Sequence, residues 1–86
     1  MYSIQILPSV YKIFHNLKKK NPKQMEMVEK KIKEILKNPE RYKNLRFPLQ
    51  HLKRVHIDKS FVLVFSVDRN NKTVIFEEYD HHDNVY

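Results

Sequence analysis

Apolar and polar positions along the 86-residue chain change period several times. Tyr2, Ile4 and Ile6 alternate with Ser3 and Gln5, which predicts a short strand with one buried face. Pro8 and Ser9 then open a helix. Its apolar stripe is Val10, Ile13, Phe14 and Leu17, at i, i+3, i+4 and i+7. Three lysines, Lys18, Lys19 and Lys20, close it at the negative end of the helix dipole. Asn21 and Pro22 restart a helix at once, with Asn as N-cap and Pro at the first helical position. Met25, Val28, Ile32, Ile35 and Leu36 form the second stripe. Asn38 and Pro39 end it. So short a link makes the two helices an antiparallel hairpin.

Residues 40–51 are polar and irregular, with Pro48 inside. Three strand-like runs follow. In residues 52–57, Val55 and Ile57 fall on one face, and Arg54 and His56 on the other. Residues 61–67, FVLVFSV, are nearly all apolar and predict a central strand covered on both sides. Residues 68–71, DRNN, form a turn, and 73–79 the last strand of a hairpin. The order β-α-α-β-β-β predicts a single α+β domain over 1–86. Its expected form is an N-terminal strand, an antiparallel helical hairpin and a three-stranded antiparallel sheet.

Composition narrows the chemistry. There is no cysteine, which excludes disulfides, zinc–thiolate sites and thiol catalysis and fits a reducing cytoplasm. No apolar run is long enough to cross a bilayer, and the N-terminus lacks the pattern of a signal peptide. Glycine is absent as well, so no glycine-rich phosphate loop exists. Seven asparagines are expected to serve the caps and the turns that need positive φ. Net charge is +7, and it is lopsided. Residues 1–56 hold 14 Lys/Arg against 4 Asp/Glu (+10), and residues 57–86 hold 3 against 6 (−3). A basic field of that size favours an anionic partner, with nucleic acid the commonest, although lysine-rich helix faces also serve solubility.

The residues able to do chemistry are few. Glu77 and Glu78 are neighbours on a strand and are expected on opposite faces, which argues against a carboxylate dyad. The cationic set is Lys53, Arg54 and His56 on one strand, and His81, His82 and Tyr86 in the closing YDHHDNVY. A tail folding back across the Arg54–His56 face would bring a guanidinium, an imidazole and a phenol to one phosphate. RNA cleavage uses such groups. Histidine moves protons near neutrality, arginine grips phosphate oxygens, and tyrosine stacks or donates. The bland alternatives are a solvated strand face and a frayed tail. The run from Asp80 to Asp83 offers metal ligands, but on an extended chain consecutive ligands diverge, so no metal is expected.

These blocks together resemble the RelE/ParE superfamily of type II toxin–antitoxin toxins, RelE-like members above all. The resemblance rests on the opening strand with Pro8 leading into a helical hairpin, on KNPERYKNLR, on LKRVHIDKSFVLVFSVD and on IFEEYDHHDNVY. It implies a ribosome-dependent endoribonuclease that cuts mRNA in the A site without a metal or other cofactor. It also implies an antitoxin partner in a hetero-oligomer. By the same resemblance, Arg54, His56, His81, His82 and Tyr86 are the catalytic candidates. Lys53, Lys18, Lys19, Lys20 and Arg46 would bind RNA. Many relatives carry arginine directly after the aromatic residue that starts the next strand; here that pair is Phe61-Val62. The rival readings are a ParE-type gyrase inhibitor that does not cleave, and a weakened toxin that still binds its antitoxin.

Overall fold

The computed structural model describes residues 1–85. Its elements are β1 (Ser3–Ile6), α1 (Pro8–Lys20), α2 (Pro22–Lys37), a 3₁₀ turn (Pro39–Arg41), β2 (Lys53–Ile57), β3 (Phe61–Asp68), β4 (Thr73–His81) and a closing 3₁₀ turn (His82–Asn84). The α+β class is as expected, but the sheet is not three-stranded and antiparallel. β1 joins it as a fourth strand, parallel to β4, in the order β1-β4-β3-β2. The helical hairpin carries the chain from β1 back to the sheet, and a crossover of this kind is what a parallel pair requires.

Single residues set the helix boundaries. The Asn21 side chain accepts from the Gln24 N–H at 3.2 Å, so α2 is capped by the residue that ends α1. Both helices then lie on one face of the sheet. Val10, Phe14, Met25, Val28, Ile32 and Ile35 pack against Val55, Ile57, Leu63, Phe65, Val74, Phe76 and Tyr79. Tyr79 brings its hydroxyl into this layer, where it donates to the Gln24 side-chain oxygen at 2.7 Å. Burial and this layer hold the Tyr79 phenol neutral, its pKa pushed well above the usual tyrosine value.

β4 does not alternate cleanly. The pairing shifts between Val64 and Phe65, so Val64 faces Glu78 while Phe65 faces Phe76. The extra residue, Glu77, is a β-bulge. It accepts a hydrogen bond from the Ser66 hydroxyl, whose strand parity is that of Val62 and Val64. Glu77 and Glu78 therefore stand on the same side of the sheet, the one away from the helices. The opposite-face expectation fails because it assumed an unbroken strand.

The positive-φ positions also fall elsewhere than expected. Asp58 (φ 55°) and Lys72 (φ 49°) take them in the two hairpin turns, and the asparagines do not. For a lysine this conformation crowds Cβ against the backbone. Lys72→Gly is expected to raise stability by roughly 0.5 kcal/mol, net of the ring contact between Lys72 and Tyr2 and of the entropy glycine loses on folding. Thermal unfolding would show this as a Tm increase of about 2–4 °C. An unchanged or lower Tm would show that the turn carries no such strain.

Candidate RNA-facing site

The sheet face away from the helices is partly covered and partly open. Its centre is a second apolar cluster. Leu52, Val62 and Val64 are buried there beneath Leu45, Leu49 and Val85. Val85 lies in the tail, so the tail does fold back across this face. Tyr86 lies outside the described residues.

Around that cluster the strand register arranges the charged groups in rows. Arg54, Val64 and Glu78 form one row; His56, Val62 and Asp80 form the next. Each row spans two strand spacings, about 10 Å between its ends. β2 thus presents a guanidinium and an imidazole and β4 presents carboxylates, with valines between them. Val62, where the resemblance led to an expectation of arginine, is 1% exposed and lies in the apolar centre of this face. Arg54 also borders a groove with Lys43, Leu45, Arg46 and Leu49. Lys43, Arg46 and Arg54 put three cations along one groove of the open face. Arg46, one of the residues expected to bind RNA, lines this groove. Lys43 was not anticipated, because an irregular segment has no periodicity from which to read a face.

His81 and His82 meet at the end of β4, beside the turn between β2 and β3. The His82 N–H donates to the Ser60 carbonyl at 2.7 Å, and its Nδ1 lies 3.1 Å from the same oxygen. A carbonyl only accepts, so His82 carries its hydrogen on Nδ1. His81 pairs with Phe61 in register and packs edge-on to that ring, centroids 5.6 Å apart. Its row is that of the helix-facing side. The strand ends there and a 3₁₀ turn follows, which sets it beside His82. The two imidazoles are 4.7 Å apart between centroids, tilted by 30°. Asp83 closes the group: its Oδ2 is 3.4 Å from His81 Nδ1, and its Oδ1 is 3.1 Å from His82 Nε2. The turn therefore makes consecutive residues converge, where an extended chain would have spread them. His81, His82 and Asp83 are the group among the described residues that could hold a metal.

Other expected RNA contacts separate. Lys20 borders a cleft with Ile13, Phe61, Tyr79 and Asp80, on the helix side of the His81 end. Lys18 lines a different, apolar groove with Ile4, Ile6 and Tyr11, and Lys19 is exposed on α1.

Lys53 does not belong with Arg54. It is 6% exposed and shares the inward face of β2 with Val55 and Ile57. Its ammonium donates to the Tyr42 carbonyl at 2.7 Å and to the Asn44 side-chain oxygen, and lies 3.7 Å from Glu40. Two hydrogen bonds and one ion pair thus fasten the 40–44 segment to the sheet. Strand parity explains the difference, since adjacent residues point to opposite faces.

Glu40 completes that fastening through Arg69, which hydrogen-bonds it and holds its carboxyl below the ordinary glutamate value of 4.5. A lowered folded-state pKa contributes stability that is present above the unfolded value and lost as pH falls through the folded one. Glu40 is a third exposed, so salt weakens the effect. Unfolding of wild type and Glu40→Gln between pH 7 and pH 3 should show a stability gap at neutral pH that closes below about 4.5. A gap that persists at pH 3 would mean the residue acts through packing instead.

No family model matches the sequence. The chain is 60% identical over 86 residues to a Methanocaldococcus jannaschii protein named "Putative toxin RelE4", covering 100% of this chain and 92% of the relative. Among solved structures it is similar to the isolated Escherichia coli RelE toxin, with a TM-score of 0.78 at 20% identity over 94% of this chain and 84% of that one. It is equally similar to a chain of the heterotetrameric YoeB–YefM toxin–antitoxin complex from Staphylococcus aureus, with a TM-score of 0.78 at 16% identity over 95% and 98%. The low-identity structures establish the shared fold. With the full-length match at 60% identity, they place this chain in the family of RelE-like toxins.

Proposed function

We propose that this chain is the toxin of a type II toxin–antitoxin system and an endoribonuclease that cuts messenger RNA in the ribosomal A site. The observation that supports this reading is the open sheet face, where the Lys43–Arg46–Arg54 groove lies on the same side as His56, while the His81–His82 turn stands at the end of β4 beside Ser60. Arg54 holds the scissile phosphate and offsets the charge of the crowded phosphorane. A histidine of the His81–His82 pair takes the 2′-hydroxyl proton as that oxygen attacks phosphorus. The P–O5′ bond breaks, the 5′-oxygen receives a proton, and a 2′,3′-cyclic phosphate remains. His56 is the alternative proton carrier, and Tyr86 orients or stacks on the substrate. Lys18, Lys19, Lys20 and Arg46 contact ribosomal RNA. The partner is an antitoxin that forms a hetero-oligomer with the chain in the cytoplasm, a reading supported by the likeness to the YoeB–YefM complex. Among the described residues, no helix is long and apolar enough to cross a membrane.

The test is cleavage of messenger RNA on programmed ribosomes, with naked RNA and added antitoxin as controls. A cut confined to the A-site codon and abolished by antitoxin is the expected result. Absence of cleavage with inhibition of gyrase supercoiling would support the ParE-type reading instead.

One observation favours a second reading, a weakened toxin. Val62 fills the centre of the site with apolar volume, packed with Leu52 and Val64. Val62→Arg is expected to cost about 1–3 kcal/mol by overpacking that cluster. If the variant nevertheless cleaves faster, the missing arginine limits the wild type. Cleavage that stays flat or falls would count against the weakened-toxin account.

A further inference from the structure

The turn after β4 holds three donor groups in an arrangement that proton transfer alone does not require. His82 Nδ1 is committed to the Ser60 carbonyl at 3.1 Å, which leaves its Nε2 as a lone pair. That lone pair faces the Asp83 carboxylate at 3.1 Å. On the other side, His81 Nδ1 accepts from the Asp83 N–H at 3.3 Å, so it too presents a lone pair, 3.4 Å from the second Asp83 oxygen. Two imidazole lone pairs and a carboxylate thus face one another, with all the donor atoms within 4.8 Å. A proton or a metal cation among them relieves the repulsion of such groups.

The spacing fits a particular class of cation. With metal–donor bonds of about 2.0–2.1 Å, two donors on a tetrahedral ion stand about 3.4 Å apart. The two histidine–carboxylate separations, 3.4 Å from His81 Nδ1 to Oδ2 and 3.1 Å from His82 Nε2 to Oδ1, lie near that figure, each to its own oxygen of the Asp83 carboxylate. Nitrogen donors with one carboxylate suit zinc and its first-row neighbours and not magnesium. A backbone carbonyl holding the far nitrogen of a ligating histidine is the usual outer support of such a site, and Ser60 supplies it. The turn itself is braced: Asp80 accepts from the His81 N–H at 2.7 Å and from the Asn84 side chain at 3.4 Å.

We propose that His81, His82 and Asp83 form a divalent transition-metal site of the zinc class, three protein ligands with a fourth position open to water. Metal displaces the weak Asp83 N–H contact on His81 Nδ1. The binding claim rests on this geometry alone. Its consequence, that bound zinc silences the toxin by occupying both imidazoles, rests on the proposed role of His81 and His82 in RNA cleavage.

The experiment is isothermal titration calorimetry of the metal-free full-length chain with Zn2+ and, separately, with Mg2+. One Zn2+ per chain and no uptake of Mg2+ are expected. Asp83→Asn weakens zinc binding at least tenfold, and a His81→Asn/His82→Asn double variant abolishes it. A His15→Asn/His51→Asn variant, which removes exposed histidines elsewhere, binds as the wild type does. Thermal unfolding of each variant shows whether a loss of binding is a loss of fold, and Asp83, 72% exposed, is the substitution least able to disturb it. No stoichiometric zinc binding, or binding that survives the double variant in a folded chain, overturns the site. Bound zinc with undiminished cleavage leaves the site standing and removes His81 and His82 from the catalytic roles given above.

Discussion

Replacing His81 and His82 together by alanine is expected to lower mRNA cleavage on ribosomes by about 10²–10⁴-fold, the range lost when a positioned acid–base group is removed. Both rings are more than a third exposed, and the backbone bond from the His82 N–H to Ser60 survives the change. The fold should therefore lose less than about 1 kcal/mol, as most surface substitutions do. The single variants separate the roles. If one histidine alone carries the proton, its single variant reproduces most of the double loss and flattens the pH–rate profile near neutrality. If the pair acts through each other, both singles fall nearly as far as the double. A folded double variant that cleaves like the wild type would move the chemistry to His56 and Arg54.

Lys53→Ala is expected to destabilise the protein by about 2–3 kcal/mol, which for a domain of this size means a Tm lower by about 10–20 °C. The charged hydrogen bonds to the Tyr42 carbonyl and to Asn44 disappear together, and the buried carbonyl loses its donor. Glu40 keeps Arg69, which is why the loss stays below that of a fully orphaned buried charge. The 40–44 segment leads into the Lys43–Arg46–Arg54 groove, so its release should also blunt RNA binding indirectly. Temperature separates that effect from direct contact. A structural lysine gives a variant with near-normal cleavage well below its new Tm. A lysine that touches RNA gives a variant with an ordinary Tm and weak binding at every temperature.

Much of this architecture is written in the order of residues. The two apolar stripes, Asn21 followed by Pro22, and the turn at 68–71 define the helical hairpin and the β3–β4 hairpin from local chemistry. The split of β2 into Val55 and Ile57 against Arg54 and His56 is also legible, because a strand has period two. That same parity placed Lys53 on the inner face, where neighbouring sequence suggested a basic cluster. β4 was misread for the opposite reason. Its bulge at Glu77 is a response to pairing with β3, and nothing in the sequence TVIFEEYDH announces it.

By itself, then, the sequence determined the elements, the α+β class and the basic first part of the chain, and it named candidates for handling phosphate and protons. Local propensity, period and charge decide those, and each is carried by residues close together along the chain. The tertiary structure alone decided that β1 pairs in parallel with β4, that Glu77 and Glu78 share a face, that Val85 packs onto the Leu52–Val62–Val64 cluster, and that His81, His82 and Asp83 converge. All four depend on segments brought together over long sequence separation, or on where a strand stops once its neighbour stops. The helical crossover, the β3–β4 register and the Ser60 carbonyl set them, and each is a contact that exists only after the sheet has formed.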